Sequence, residues 1–241
     1  MAFAAGASQE TSFANGINGK GEIVGYVGKN DIPNPEARAY IKRGESFSLY
    51  NHPNADPSKG TGFGGINDAG IRVGTYTDSA NTLHGFIQDD NTTTLLESSP
   101  NIPANKGNFI FDINNLGQMV GGYFDALSDI QHGLFTDGTT FVAIDFPGSD
   151  TTYLNGINDL GQMVGAYFDN AAQVFRGFLT DGNNFTTIDY PNLPQGFGTL
   201  VSGIDNSGRI VGYYGAEAGL EGVLGRRAAV HGFLATPVSR R

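Results

Sequence analysis

The chain has 241 residues, of which 39% are hydrophobic and only 16% are charged, and its formal net charge is −10. This charge argues against binding nucleic acid or an anionic membrane surface, because both need clustered Lys and Arg. The absence of cysteine excludes thiol nucleophiles, disulfides and thiolate metal sites. No stretch approaches the roughly 20 apolar residues that cross a membrane, so we expect no membrane insertion.

One sequence unit recurs five times along the chain. It contains a Gly-Ile-Asn-like triplet, a Val-Gly pair seven residues after the isoleucine, and a Gly-Phe-Leu-like triplet; its clearest copy is 154–179. The central isoleucines are 49, 47, 44 and 47 residues apart, at Ile17, Ile66, Ile113, Ile157 and Ile204. A period of this size predicts a repeat architecture.

Each unit is predicted to form four strands, A to D. In the fourth copy, strand A covers 152–158 and strand B covers 162–168. Strand C covers 176–180, and strand D covers 185–191 after the tight turn Asp181-Gly182. Strand B follows a turn that opens with Asn or Asp and ends in Gly, which is typical of hairpins. This turn recurs in all five copies and begins at Asn18, Asn67, Asn114, Asn158 and Asp205.

Strand-only repeats of about 40–50 residues with four strands each are typical of a β-propeller. The sequence therefore predicts an all-β, five-bladed β-propeller with four antiparallel strands per blade. A single domain contains the blades, at 13–53, 61–100, 108–147, 152–191 and 199–236. The last copy lacks strand D, so we expect residues 1–6 to pair with its strand C and close the ring, which hides the last sheet edge. A domain-swapped oligomer would satisfy the same pairing, but we expect a monomer.

The repeat resembles the HAF-type repeat proteins, whose units share a Gly-Ile-Asn, Val-Gly-x-Tyr, His-x-Phe skeleton. The resemblance covers about 13–234, is best in the third and fourth copies, and is weakest in the first. It implies a repeat β architecture from an exported bacterial protein, in an extracellular or periplasmic location. We identify no signal peptide in residues 1–7. The resemblance carries over no catalytic residue.

The connections between strands vary in length on one face of the predicted ring. The A–B and C–D turns are uniformly short, whereas the B–C and D–A connections carry nearly all the length variation. In an antiparallel blade these two sets lie on opposite faces. We call the B–C and D–A side the variable-loop face. Insertions on one face of a repeat protein usually mark its binding side, so we expect a site there or at the channel mouth.

A carboxylate precedes the basic residue of strand C in three copies, as Asp78–His84, Asp125–His132 and Asp169–Arg176. We interpret these pairs as structural, because catalysis needs one special site rather than several equivalent ones. Scattered histidines also make a poor metal site, since ligands must converge on the ion. We therefore predict no metal and no cofactor.

Departures from the repeat supply the candidate site residues. His52 occupies the place of Phe146 and Tyr190, outside the repeat skeleton, and Asp112 replaces a glycine on the innermost strand, where burial would raise its pKa. The catalytic candidates, if the protein is an enzyme, are His52, Asp112, Glu217 and Glu221. The ligand-binding candidates are Asp31, Lys59, Phe111, Asn155, Tyr214, Arg226 and Arg227. Inserts at 28–36 and 215–230 contribute several of these, and a closed ring would bring both inserts together.

Three functions stay open at this point. The first is a binding module for a small molecule or a glycan, because no catalytic constellation is recognised. The second is a cofactor-independent acid–base enzyme, such as a lyase, isomerase or cyclase, at the channel mouth, where a histidine near neutral pKa moves protons. The third is a protein-interaction scaffold. We expect one central site rather than five equivalent ones, because the B–C loops do not repeat.

Overall fold

The computed structural model describes residues 10–29, 37–90, 92–96, 107–125, 130–216 and 230–237. These residues form nineteen strands in five antiparallel sheets, with no helix among them. Four sheets have four strands and the fifth has three. The sheets are the blades of a five-bladed, all-β propeller, as predicted. No helix long and apolar enough to cross a membrane occurs in these ranges.

The strands follow one another from the inner to the outer edge of each blade. The first blade contains β1 (Glu10–Ile17), β2 (Ile23–Lys29), β3 (Arg38–Arg43) and β4 (Ser46–Tyr50). The second contains β5 (Thr61–Ile66), β6 (Arg72–Thr77), β7 (Leu83–Gln88) and β8 (Thr93–Leu95). The third contains β9 (Asn108–Ile113), β10 (Met119–Phe124), β11 (Gln131–Thr136) and β12 (Phe141–Ala143). The fourth contains β13 (Thr152–Ile157), β14 (Met163–Asp169), β15 (Val174–Thr180) and β16 (Phe185–Ile188), and the fifth contains β17 (Phe197–Ile204), β18 (Ile210–Ala216) and β19 (Val230–Ala235).

The outer strands are shorter than predicted. Strand D of the third blade ends at Ala143 rather than Pro147, and that of the fourth blade ends at Ile188 rather than Pro191. The Asp-aromatic-Pro segment that follows leaves the sheet and crosses to the next blade, where the backbone N–H of Phe146 donates to Thr152 Oγ1 at 3.0 Å. Proline has no N–H for the sheet ladder, so the strand ends before it.

The apolar core lies between neighbouring blades. Val120 and Ile144 of the third blade pack against Leu154, Ile157 and Phe178 of the fourth, and all five side chains are buried. Comparable clusters fill the other described junctions along the chain. Burying one large apolar side chain stabilises the fold by about 1.5–3 kcal/mol. The contacts between blades are therefore the main apolar contribution to stability.

Each inner strand carries a bulge at the same place. The pairing register shifts between Leu154 and Gly156 in β13, and at the corresponding position of the other four inner strands. A Cβ atom added to Gly156 would lie 2.9 Å from the Cα of Gly203 in the next blade. The inner strands thus approach each other too closely for most side chains, which explains glycine here.

A buried amide joins the A–B turns of successive blades. Asn114 Nδ2 donates to the backbone oxygen of Asn158 at 2.9 Å, and Asn114 Oδ1 accepts from the backbone of Leu116 and Gln118. We call this arrangement the Asn clasp. It recurs from Asn18 to Asn67, from Asn67 to Asn114, and from Asn158 to Asp205. The glycine that ends each turn has a positive φ, as predicted from the Asn-x-x-Gly pattern.

The series of clasps stops at the fifth junction, between the last blade and the first. Asp205 replaces the asparagine and has no amide to donate; its carboxylate accepts from Arg209 Nε at 2.6 Å instead. A second series of bonds also stops here. The backbone N–H of Asp159 donates to Asn206 Oδ1 of the fifth blade, whereas Gly19 of the first blade has no side chain to accept the next such bond.

Among the described residues, the inner-strand side chains at the fifth junction are also more exposed than their counterparts at the other junctions. Ile17 is 66% exposed and Val211 is 47% exposed, whereas their counterparts Ile157 and Val164 are 4% and 0% exposed. The expected closure of the ring by residues 1–6 lies outside the described residues.

Replacing Asn114 by alanine removes one clasp and leaves backbone groups of two blades without their partner. Because a buried unpaired polar group costs about 1–3 kcal/mol, we expect the free energy of unfolding to fall by about 2–4 kcal/mol. Urea unfolding followed by circular dichroism measures the change. Asn183→Ala, the same substitution in an exposed turn, is the matched control and should change stability by less than about 0.5 kcal/mol. Equal losses in both variants would contradict a role for the clasp.

Candidate functional site

A cavity of about 590 Å³ opens on the variable-loop face between the fourth and fifth blades. The start of β15 forms its floor, the B–C loop at 170–173 forms one wall, and the D–A connection at 189–196 forms the other. Phe175, Arg176, Asp189 and Tyr190 are among its lining residues. We call this cavity the rim pocket. It lies on the face where the sequence predicts a site.

Arg176 lies between two carboxylates in the rim pocket. Its Nε donates to Asp169 Oδ2 at 2.6 Å, and its Nη1 donates to Asp189 Oδ2. The hydrogen bond that Arg176 donates to Asp169 raises the pKa of Arg176. The hydrogen bond from the backbone N–H of Ala172 lowers the pKa of Asp169, and the hydrogen bond from Arg176 is the second cause. The guanidinium is therefore charged and held from two sides.

Tyr190 provides an aromatic surface beside this pair. Its ring stacks on Tyr214 of the fifth blade, with centroids 3.9 Å apart and planes inclined by 20°. Its backbone N–H donates to Thr199 Oγ1 at 3.1 Å, and 37% of the residue remains exposed. Both the stack and the backbone bond hold Tyr190 against the next blade.

A ring in the position of Tyr190 also stacks on the next blade at other junctions, but there it is less exposed to solvent. Phe146 stacks on Tyr167 at 3.6 Å, and His52 stacks on Tyr76 at 3.9 Å. The connection after Tyr190 differs from that after Phe146, because it is three residues longer relative to the next central isoleucine and contains Pro191 and Pro194. These additional residues form the wall of the rim pocket.

The expectation that His52 lies outside the repeat skeleton is wrong. Its ring takes the same stacked position as Phe146, is 5% exposed, and accepts the backbone N–H of Asn54 at Nδ1. Burial lowers its pKa, with a smaller contribution from His84, so the ring is neutral at pH 7. His52 lies in the first D–A connection and Asp112 in β9, and no contact between them occurs in the described residues. The structure gives His52 a packing role.

Asp112 lies on the innermost strand, as predicted, and bridges two blades. Its carboxylate accepts the backbone N–H of Ile113 at 2.9 Å and that of Ile157, in the next blade, at 3.0 Å. Burial raises its pKa to about 6, and these two hydrogen bonds oppose the shift.

Asp112 borders a second cavity, of about 570 Å³, in the central channel. Phe111 and Asn155, two predicted ligand-binding residues, also line it, together with Ser202. The cavity extends to Ile17 and Val211 at the fifth junction, and therefore towards the A–B turns. Asn155 Nδ2 already donates to the backbone oxygen of Val201 at 2.8 Å.

The other predicted site residues are distributed over several places. Lys59 Nζ donates to the backbone oxygens of Asp78 and Ser79, at 3.0 and 3.2 Å, and so joins two loops. Tyr214 supports the ring of Tyr190 at the rim pocket. The remaining candidates lie outside the described residues: Asp31, Glu217, Glu221, Arg226 and Arg227. Within the described part of the chain, no three His, Asp or Glu side chains are grouped to hold a metal.

Two of the three predicted carboxylate–base pairs are present. Asp78 Oδ2 is 3.1 Å from His84 Nε2, and Asp169 pairs with Arg176. In the third copy, the carboxylate that the structure places against the histidine is a different one, because His132 Nδ1 contacts Asp145 Oδ2 at 2.9 Å. Asp145 precedes the aromatic residue of the D–A connection, as Asp189 does in the fourth blade. Carboxylates after strand D therefore reach back to strand C.

The sequence interpretation missed Arg176, Asp189 and Tyr190 as site residues. It treated Arg176 as a structural replacement for the histidine of other copies. Two signals were available: the arginine itself, and the longer connection with two prolines that follows Tyr190. Neither indicates a pocket until the fourth and fifth blades are placed side by side.

Asp112 should make the stability of the protein depend on pH. Its pKa is about 6 in the folded state and about 3.9 when unfolded, so its ionisation destabilises the fold as pH rises through 6. Between pH 4 and pH 8, we expect the free energy of unfolding of the unmodified protein to fall by about 2–3 kcal/mol because of this group. Asp112→Asn should remove that fall. Urea unfolding at several pH values tests this. Asp137, whose pKa is lowered to about 2, is the control; Asp137→Asn should leave the loss in place.

Comparisons with known proteins support the architecture alone. No protein-family model and no curated protein matches the chain. The fold is similar to that of a gluconolactonase from Xanthomonas campestris, with a TM-score of 0.50 and 11% identity over 95% of this chain and 78% of that one. A lectin from Aleuria aurantia in complex with α-methyl-L-fucoside has a TM-score of 0.48 and 9% identity, over 93% of this chain and 72% of that one. An ulvan lyase has a TM-score of 0.45 and 10% identity, over 95% of this chain and 67% of that one. At these identities, what the chain shares with the first of them is the propeller fold.

Proposed function

We propose that the protein binds a carbohydrate in the rim pocket. One observation carries this proposal: the exposed ring of Tyr190 lies in the same concave site as the guanidinium of Arg176, which two carboxylates hold. A sugar presents an apolar C–H face and an edge of hydroxyl groups. An aromatic ring suits the face, and a few fixed polar groups suit the edge.

The binding groups are fixed before a ligand arrives. Arg176 is held by Asp169 and Asp189, and Tyr190 is held by its stack on Tyr214 and by Thr199. Ordering flexible side chains on binding reduces affinity, so a site with fixed side chains loses less. A volume of about 590 Å³ is also within the usual range for small-ligand sites.

We place the principal site at one junction rather than at five. The third blade repeats the pattern with His132, Asp145 and Phe146, but its connection to the next blade is three residues shorter. The first blade has an equally long connection after His52, but Asn51 takes the place of Asp189, and His52 is only 5% exposed. The expectation of a single site is kept, and its position moves from the channel mouth to the rim.

We also propose that the chain is a HAF-type repeat protein that acts outside the cytoplasm of a bacterium. The repeat skeleton supports this proposal. In that skeleton, the tyrosine of Val-Gly-x-Tyr is Tyr76, Tyr123, Tyr167 and Tyr214. All four tyrosines stack on, or pair in the sheet with, the basic residue of strand C.

The alternative function is acid–base catalysis in the central channel, and Asp112 is the observation in its favour. A carboxyl group that titrates near pH 6 can take up and release protons at physiological pH. However, two backbone N–H groups already occupy its oxygens, and the nearby Arg209 and Asp205 pair with each other. Ligand binding at the rim is therefore the better-supported function.

Substitution of Tyr190 tests the carbohydrate proposal. Tyr190→Ala removes the aromatic surface, and we expect affinity to fall about tenfold or more, as for other tyrosines central to binding sites. Tyr190→Phe keeps the ring and should stay within about threefold of the unmodified protein. Native gel electrophoresis through immobilised polysaccharides measures affinity, and melting temperatures check that the variants are folded. If no polysaccharide retards the migration of the unmodified protein, the proposal is refuted.

A further inference from the structure

We infer that the rim pocket recognises two adjacent hydroxyl groups of a neutral saccharide through Arg176 and Asp189, and that it disfavours acidic saccharides. This inference rests on the carbohydrate-binding function proposed above and names the class of ligand.

The Arg176–Asp189 pair uses only part of its hydrogen-bonding capacity. An arginine has five N–H donors in a planar fork, and a carboxylate accepts at both oxygens. Arg176 donates from Nε to Asp169 Oδ2 and from Nη1 to Asp189 Oδ2. Across the described residues, Nη2 of Arg176 and Oδ1 of Asp189 have no protein partner. The pair therefore offers the pocket both donors and an acceptor.

This combination fits a pair of neighbouring hydroxyl groups. One hydroxyl donates to Asp189 Oδ1, and the next one accepts from Arg176 Nη2, because every hydroxyl can do both. Hydrogen bonds to charged groups are about twice as strong as those between neutral groups. A ligand with an isolated hydroxyl would leave one charged group unpaired in the pocket, and sites built on hydrogen bonds reject such analogues strongly.

The charges around the pocket disfavour an acidic ligand. Asp169, Asp189 and Arg176 together carry a net charge of −1, and Arg176 is the one basic residue among those that line the cavity. A ligand carboxylate would approach an arginine whose charge two carboxylates already balance, on a chain with a net charge of −10. Repulsion between the ligand carboxylate and these aspartates disfavours binding, whereas a neutral sugar meets no such repulsion.

Matched polysaccharides separate the two parts of the inference. Mannan and polymannuronate share their sugar configuration and β linkage and differ in the carboxylate. Galactan and polygalacturonate, which share the configuration of the sugar but not the linkage, form a second pair. Periodate breaks the bond between two carbons that carry adjacent hydroxyl groups and opens the sugar ring, and borohydride then reduces the two aldehydes to separate alcohols. The treated polymer therefore has no adjacent hydroxyl pair at these carbons and gains no charge. In native affinity gels, we expect at least one neutral polymer to bind at least tenfold more tightly than its acidic counterpart, and periodate treatment to abolish that binding.

Substitutions assign the effect to named residues. Asp189→Asn should weaken neutral binding about tenfold, because it removes the charged acceptor; Arg176→Lys should weaken it similarly, because it removes the forked donors. Asp145→Asn is the matched control, since Asp145 has the same place in the third blade and pairs with His132 away from the pocket. Asp169→Asn leaves the Arg176–Asp189 pair but raises the net charge to zero, and should increase binding of the acidic polymer.

The outcomes distinguish this inference from the function on which it rests. Equal binding of the acidic and neutral polymers would overturn the selectivity while leaving carbohydrate binding in place. Recognition of adjacent hydroxyls would be overturned if binding survived periodate treatment. It would also be overturned if the Asp189→Asn variant bound the neutral polymer as tightly as Asp145→Asn does. If none of the polymers retards the unmodified protein, the proposed function fails first.

Discussion

The close approach of neighbouring inner strands is the constraint on which the rest of the molecule depends. Gly156 faces Gly203 so closely that a Cβ would lie 2.9 Å from the opposite Cα, and the Asn clasp fixes the turns just beyond. With this spacing set, apolar side chains of one blade reach the next. The propeller therefore has its core between blades, where each blade depends on its neighbour.

The rim pocket is a product of the same spacing at the outer end of the strands. Tyr190 belongs to the connection that leaves the fourth blade, yet its ring is positioned by Tyr214 of the fifth. Arg176 is positioned by carboxylates from two different segments, Asp169 at the end of β14 and Asp189 in the connection after β16. A site assembled in this way combines a rigid scaffold with loops free to vary, which is where binding residues concentrate.

The fifth junction shows what happens when the repeat loses its joining groups. Asp205 cannot donate the clasp bond, Gly19 cannot accept the parallel one, and Ile17 and Val211 are exposed where their counterparts are buried. The central cavity extends into this junction. The raised pKa of Asp112, a partly buried residue that lines this cavity, follows from the loss of hydration on the innermost strand, at a position where the other blades have only glycine.

The five units, their strands and their turns were determined by the sequence alone, because periodic apolar residues and turns such as Asn158–Gly161 act locally. The same reasoning found Asp112, since one carboxylate among glycines is visible in the repeat. Only the tertiary structure decided that His52 is a stacked core ring, that His132 pairs with Asp145, and that Arg176 and Tyr190 share a pocket. Those contacts depend on the distance and angle between blades, and packing across the junction sets both, whereas periodicity along the chain sets neither.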